Sequence, residues 1–235
     1  NHTFRITGET YGDPLALYSR LRDRQPGRFG AFIAEDSNFI LSQSPELFIQ
    51  RQGNKLKAMP MKGTASALND SADHLSNDIK NQAENVMIVD LMRNDFGRIC
   101  ESGTVEVPRL LANEDHPGLR HLVSDIKGQV RQDLSWKEIL ESLSPPGSIS
   151  GAPKSSALSV IQEHESLRGP YCGALGWVHG ENAELSVAIR IFWKDEKIHF
   201  GTGAGITWNS DPIQEWEETQ LKATRLISIA GGELL

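Results

Sequence analysis

The stretch SNDIKNQAENVMIVDLMRN, residues 76–94, has the periodicity of an amphipathic helix. Ile79, Ala83, Val86, Met87 and Leu91 recur at three- and four-residue intervals and so share one face. Gly97 stands where such a helix would end. Asp90 interrupts the face, and a carboxylate there would need a partner if buried. Upstream, Phe29–Ala34, Asn38–Ser42 and Leu47–Arg51 are short apolar or alternating runs divided by turn residues, the pattern of an antiparallel meander. Gly12–Arg24 reads as a helix carrying Leu15, Leu17, Tyr18 and Leu21.

Downstream, Val105–Leu111 and His121–Val130 read as strands. Trp136–Leu143 reads as a short helix, and Ala152–His164 as a helix with Pro153 in its first turn. Ala174–Val178, Glu184–Ile191 and Ile198–Gly201 follow as strands. Asp211, Pro212 and Gln214 mark the start of a last helix running to about Ala230, where Gly231-Gly232 ends it. Strands early and late without regular β-α alternation predict a mixed antiparallel α+β fold, and the whole of 1–235 reads as one unit.

The chain has 235 residues with 24 Lys and Arg against 31 Asp and Glu, a formal charge of -7. Without a basic stripe, nucleic acid is not an expected partner. Cys100 and Cys172 are far apart, which fits neither a disulfide scaffold nor a zinc site, so a reducing, cytoplasmic setting is expected. No apolar run approaches the roughly 20 residues of a membrane span, so no membrane association is expected. The chain opens at Asn1, and Thr3–Thr7 already alternates like a strand interior, which predicts that sequence upstream is missing.

Several constellations have chemical potential, each beside a plainer reading. Gly201-Thr-Gly203-Ala204-Gly205 lacks the dinucleotide-binding spacing but allows close backbone approach to an anion; a Gly-rich turn or bulged strand explains it equally. GSISGAPK at 147–154 fails the phosphate-loop pattern, yet a polar helix N-terminus suits a carboxylate, as well as being simply a capped helix. Glu215 and Glu218 share a helix face and could present two carboxylates to a divalent cation, while Glu218 and Lys222 also form an ordinary surface pair. Glu84 borders the apolar stripe and needs Mg²⁺ or a cationic partner. Lys62, between an apolar approach and Gly63-Thr64, is a candidate nucleophile if desolvated. His121 reads first as a core histidine. Arg190, in the apolar run Val187–Phe192, needs an anion.

In order along the chain, Ser44-Pro45-Glu46, PMKGT at 60–64, AENVMIVDLMRND at 83–95 and HLVS at 121–124 form a series. GSISGAPK at 147–154, YCGALGW at 171–177, SVAIR at 186–190, TGAG at 202–205 and EWEET at 215–219 continue it. This series resembles the chorismate-utilising enzymes, which include anthranilate, aminodeoxychorismate, isochorismate and salicylate synthases. The resemblance implies a two-sheet antiparallel sandwich with peripheral helices, here without the family's N-terminal half. It implies Glu84 and Glu218 as Mg²⁺ ligands with Glu215 sharing the metal, which holds the ring carboxylate of chorismate. It further implies that Arg190, Tyr171 and the backbone of Gly203, Ala204 and Gly205 bind the enolpyruvyl carboxylate, with Thr64, His121, Ser148 and Lys222 lining the pocket.

Lys62 sorts the family, since anthranilate synthases typically have Ala there and aminodeoxychorismate synthases Lys. The resemblance therefore implies amination at C4 of chorismate, with Lys62 as nucleophile, Glu46 as acid-base partner and ammonia from a separate glutamine amidotransferase. Anthranilate or isochorismate formation is the enzymatic alternative. A short chain that binds chorismate without turning it over is the alternative of another class. Met61 stands where the family usually has Ile, a nearly volume-conserving change.

Overall fold

The computed structural model describes residues 1–66, 79–116 and 119–233. Its elements divide between two antiparallel sheets. The five-stranded sheet has the order β1-β12-β11-β3-β2, from β1 (His2–Gly8), β12 (Ile198–Ala204), β11 (Ile191–Lys194), β3 (Asn38–Ser44) and β2 (Phe29–Glu35). The second has seven strands: β6 (Met61–Ser66), β8 (Leu119–Gln129), β5 (Lys55–Met59), β4 (Leu47–Gln52), β10 (Asn182–Val187) and β9 (Ala174–His179), with β7 (Glu106–His116) also on β8. The expected antiparallel α+β two-sheet fold is the one observed.

Helices cover the sheets. Against the five-stranded sheet lie α1 (Pro14–Arg24) and α6 (Pro212–Ala230), whose Leu17, Leu21, Ala223, Leu226 and Ile227 bury Phe39, Leu41, Phe192 and Phe200. Against the other sheet lie α2 (Ile79–Ile99) and α3 (Trp136–Leu143), around a core containing Phe48, Leu56, Ile88, Met92, Phe96, Ile126 and Ile139. Short α4 (Gly147–Ser150) and then α5 (Lys154–His164) follow. Among the described residues, no helix is long and apolar enough to cross a membrane.

Local chemistry accounts for the ends. Asp13 caps α1 by accepting from the Leu15 N–H, and Ser135 with Glu138 forms a reciprocal capping box on α3. Asp211 accepts from the N–H groups of Ile213 and Gln214, and Gly231, left-handed at φ 87°, closes α6.

The expected meander is only a hairpin, because β2 pairs with β3 while β4 crosses to the other sheet and pairs with β5 and β10. Four further sequence expectations are corrected. The first concerns the face of α2, since Ile79, Val86 and Met87 are exposed while Asn85, Ile88, Val89, Met92, Asp95, Phe96 and Ile99 are buried. The buried face was disguised by its polar members, which are paired: Asn85 with β8, and Asp95 with Lys154 at 2.6 Å. The expected start of α2, at 76–78, lies outside the described residues. The second is that Glu184–Ile191 is not one strand. It breaks after Val187, and Arg190 sits in the left-handed region at φ 53° where the chain passes between sheets. The third is that Pro153 precedes α5 as its N-cap. The fourth is that Gly201–Gly203 lies within regular β12.

Two chain crossings between sheets, Ser44–Leu47 and Val187–Ile191, are bonded to each other. Val187 N–H donates to the Glu46 carbonyl at 3.0 Å, Ser44 Oγ to the Val187 carbonyl at 2.6 Å, and Gln43 N–H to the Arg190 carbonyl at 3.1 Å. These bonds satisfy backbone groups that leave one ladder before entering the next.

Strand β1 is tied down by a buried carboxylate. Glu165, whose side chain is 1% exposed, accepts from the Thr3 N–H at 2.8 Å, from Arg168 Nη2 and Nε at 2.9 Å and from Arg5 Nη1 at 3.2 Å. Burial alone would raise its pKa, but the bonds from Arg168 and Thr3 outweigh it and hold the carboxyl down at about 2, against an ordinary value of 4.5. Its stabilising contribution is thus complete above pH 4.5 and is lost as pH falls towards 2. Denaturant unfolding across this range should show that acid limb, and Glu165→Gln should flatten it. A second test concerns Gly201, where a Cβ would enter the Tyr171 ring. Gly201→Ala should cost about 1–3 kcal/mol, measured as a lower denaturation midpoint at unchanged slope.

Candidate functional site

Strand β6 follows Pro60 and pairs with β8, placing Lys62 opposite Leu122 and Thr64 opposite His121. From there the Lys62 Nζ donates to the Ser148 carbonyl at 3.2 Å. Ser148 lies on buried α4, and its carbonyl also accepts from Asn1 Nδ2 at 3.0 Å. Glu46, 5% exposed at the crossing from β3 to β4, completes the group. Burial raises its carboxyl; the Ser148 hydroxyl and Lys62 hold it down in part, and the balance leaves it at about 7. A carboxyl at that value can both give and take a proton near neutrality.

The end of β12 closes on the same group. A Cβ on Gly205 would lie 3.7 Å from Lys62 Nζ and 3.9 Å from Glu84 Oε2, so this glycine keeps open the space between the amine and the α2 carboxylate. Gly203 has another reason to be glycine, because a Cβ there would strike the backbone of His2 and Thr3 on β1. Ala204 is buried beside them, paired with His2. Tyr171 is 7% exposed with its ring over Gly201, and burial drives its hydroxyl pKa well up, so it is a neutral donor. His121 is buried at 2% exposure in β8, the core position that its sequence context suggested.

Arg190 is half-buried, and among the described residues no hydrogen bond or ion pair to its guanidinium is found. Burial is the main influence lowering its pKa, and Arg225, a like charge, adds to it. A desolvated guanidinium beside another cation favours an anionic ligand.

The three carboxylates named for a metal lie on two helices. Glu84 is half-buried on α2, while Glu215 is buried and Glu218 exposed on α6. Glu215 Oε1 accepts from Ser210 Oγ at 2.7 Å and Lys80 Nζ at 2.9 Å. Burial opposes ionisation of Glu215, but these two donors prevail and hold its pKa low. Glu218 pairs with Lys222 at 2.7 Å, both about half exposed, so Lys222 faces a carboxylate at the surface. Among the described residues no three His, Cys, Asp or Glu side chains converge tightly enough to hold a metal ion. The donor set nonetheless suits a hard divalent cation, and a stand-in is present: the Lys80 ammonium, its pKa raised first by the bond to Glu215, senses Glu84 and Glu218 as well.

The structure therefore brings together Lys62, Glu46, Ser148, Glu84 and Gly205. It sets Arg190 at the neighbouring crossing and leaves Glu218 and Lys222 at the rim. Sequence reasoning missed Lys80 and Asn1. Lys80 had a signal, since it stands four residues before Glu84 on the same helix.

Residues 1–228 match the family model described as chorismate binding enzyme. The anthranilate synthase component 1 of Saccharolobus solfataricus is 36% identical over 229 residues, covering 94% of this chain and 54% of that protein. The aminodeoxychorismate synthase component 1 of Salmonella typhimurium is 36% identical over 236 residues, covering 97% and 52%. Among solved structures, anthranilate synthase component I from Streptococcus pneumoniae superposes with a TM-score of 0.86 at 32% identity, over 97% of this chain and 52% of that one. The menaquinone-specific isochorismate synthase MenF of Escherichia coli shares the fold, with a TM-score of 0.83 at 24% identity. The chain spans about half the length of these curated relatives. Matched over nearly all its length, it belongs to the chorismate binding enzyme family.

Proposed function

We propose that this chain aminates chorismate at C4, giving 4-amino-4-deoxychorismate, with ammonia supplied by a separate glutamine amidotransferase subunit. The observation that carries this reading is the meeting of the Lys62 amine with the carboxyl of Glu46 around Ser148, a nucleophile beside a group poised near neutrality. The designation "component 1" of the aminodeoxychorismate synthase relatives agrees with a partner subunit.

In this reaction the amine of Lys62 attacks C2, both ring double bonds shift round the ring (C1=C2 to C1=C6 and C5=C6 to C4=C5), and the C4–O bond breaks. Protonated Glu46 gives its proton to the departing hydroxide, which leaves as water. Ammonia then adds at C4, the two double bonds shift back, the C2–N bond to Lys62 breaks, and the Glu46 carboxylate takes the surplus proton from the new ammonium. Amine and carboxyl are both restored. Arg190, Tyr171 and the Gly203–Gly205 backbone bind the enolpyruvyl carboxylate, and His121, Ser148 and Lys222 line the pocket; the side chain of Thr64, the fourth residue expected there, lies outside what the structure describes. Glu84, Glu215 and Glu218 would hold Mg²⁺, whose charge would anchor the ring carboxylate and oppose its repulsion from a net acidic protein.

A second reading, amination at C2 to anthranilate, is supported by anthranilate synthase relatives at the same 36% identity. Lys62 favours the first reading, through its place beside Glu46.

Incubation with chorismate, Mg²⁺ and excess ammonium, with products identified by mass spectrometry, separates these readings. Aminodeoxychorismate is expected; anthranilate or isochorismate would replace the proposal, and chorismate binding without product would leave a non-catalytic binding chain. Lys62→Ala should abolish the C4-aminated product while circular dichroism stays unchanged, and full retention of that product would sink the nucleophile assignment. Glu46 should give kcat/KM a falling limb above about pH 7, as the acid form is lost. Glu46→Gln should lower the rate by about 10²–10⁴-fold and remove that limb. A limb that persists in Glu46→Gln belongs to another group.

A further inference from the structure

The carboxylate cluster already has a cation of its own. Lys80 and Glu84 are one helical turn apart on α2, and Glu215 and Glu218 one turn apart on α6. The Lys80 ammonium spans the gap between the helices to reach Glu215 Oε1 at 2.9 Å. The partners differ in accessibility, because the Lys80 side chain is 49% exposed while that of Glu215 is 8% exposed. Glu215 is held also by Ser210 at 2.7 Å, whereas the Lys80 ammonium reaches it from a long, half-exposed aliphatic stem. An ammonium and a hard divalent ion compete for the same carboxylate oxygens, and both cannot use the same lone pair of Glu215.

We propose that Lys80 is a built-in counter-cation of the Glu84, Glu215 and Glu218 cluster, which a divalent ion must displace from Glu215, so that Lys80 sets the affinity of this site for metal. This inference rests on the reading of these carboxylates as the divalent-cation site. Without metal, the ammonium relieves repulsion among the carboxylates and keeps α2 and α6 in register. When a divalent ion binds, the ammonium leaves Glu215 Oε1 to the metal. A cation therefore offsets part of the carboxylate charge in both states.

The probe is Mn²⁺, titrated calorimetrically into the whole chain. Lys80→Met, of similar length but uncharged, should bind Mn²⁺ about tenfold or more tightly than the parent, roughly the effect of one favourable charge interaction removed from the competing state. It should also show a lower melting midpoint in EDTA, and Lys80→Arg should restore parental behaviour on both counts. Amine-reactive labelling of the unmutated chain, read by mass spectrometry at Lys80, gives an independent measure in which saturating Mn²⁺ should increase modification. Equal or weaker Mn²⁺ binding by Lys80→Met, or labelling indifferent to Mn²⁺, overturns the inference. Glu84→Gln and Glu218→Gln distinguish the two levels. If they leave Mn²⁺ binding intact, or if no chain binds Mn²⁺, the metal reading itself fails and this inference with it; if they abolish binding while Lys80→Met leaves it unchanged, only the role of Lys80 is refuted.

Discussion

The Asn85 amide is fully buried on α2 and committed to β8, with Nδ2 donating to the Leu122 carbonyl at 3.2 Å and Oδ1 accepting from Ser124 Oγ at 2.6 Å. Strand β8 is the hub of its sheet. It pairs with β7 along one edge and with β6 and then β5 along the other, and Ser124 N–H donates to the Pro60 carbonyl where the chain passes between those two. The amide therefore connects the helix that carries Glu84 and Lys80 to the strand that positions Lys62. Leaving any of these buried polar groups unpaired costs about 1–3 kcal/mol, which makes the register of α2 on β8 specific in a way that apolar packing alone would not.

Around that frame the charges are arranged by solvent access. Glu46 is buried between crossings of the two sheets and stands near neutrality, while Glu165, less deeply enclosed, is held ionised by two arginines and the Thr3 N–H. Burial raises both carboxyls, but Glu46 is the more fully enclosed and has only the Ser148 hydroxyl and Lys62 to oppose it, whereas the Arg168 and Thr3 bonds prevail at Glu165. One carboxyl is suited to moving a proton, the other to fastening a strand. Arg190 is the reverse case, a cation taken from water without a carboxylate among the described residues, placed where β10 gives way to β11.

The glycines of 201–205 show how one motif serves several demands. Gly201 makes room for Tyr171, Gly203 for the backbone of β1, and Gly205 for the space between Lys62 and Glu84. Gly201 and Gly203 lie in β12 and point to the same face, since side chains alternate with a period of two, while Gly205 lies just beyond the end of the strand. Only the last of them lies beside Lys62 and Glu84, and nothing local in the sequence separates it from its neighbours.

Sequence alone determined the elements whose signals are local: the α+β class, the capped last helix from Pro212, the helix at Trp136–Leu143, and the strands, though not the common sheet, of Phe29–Ala34, Asn38–Ser42 and Leu47–Arg51. Capping side chains and alternation act over a few residues and are legible in one dimension. The ordered motifs also indicated Lys62, Glu46 and Glu84 together. Tertiary structure decided which face of α2 is buried, because Asn85 and Asp95 are tolerated inside only through partners far along the chain, Ser124 and Lys154. It decided that Arg190 lies at a break between strands, and that Lys80 holds Glu215 across 135 residues. These depend on long-range pairings that compensate desolvated polar groups, and composition and periodicity carry no record of which partner does so.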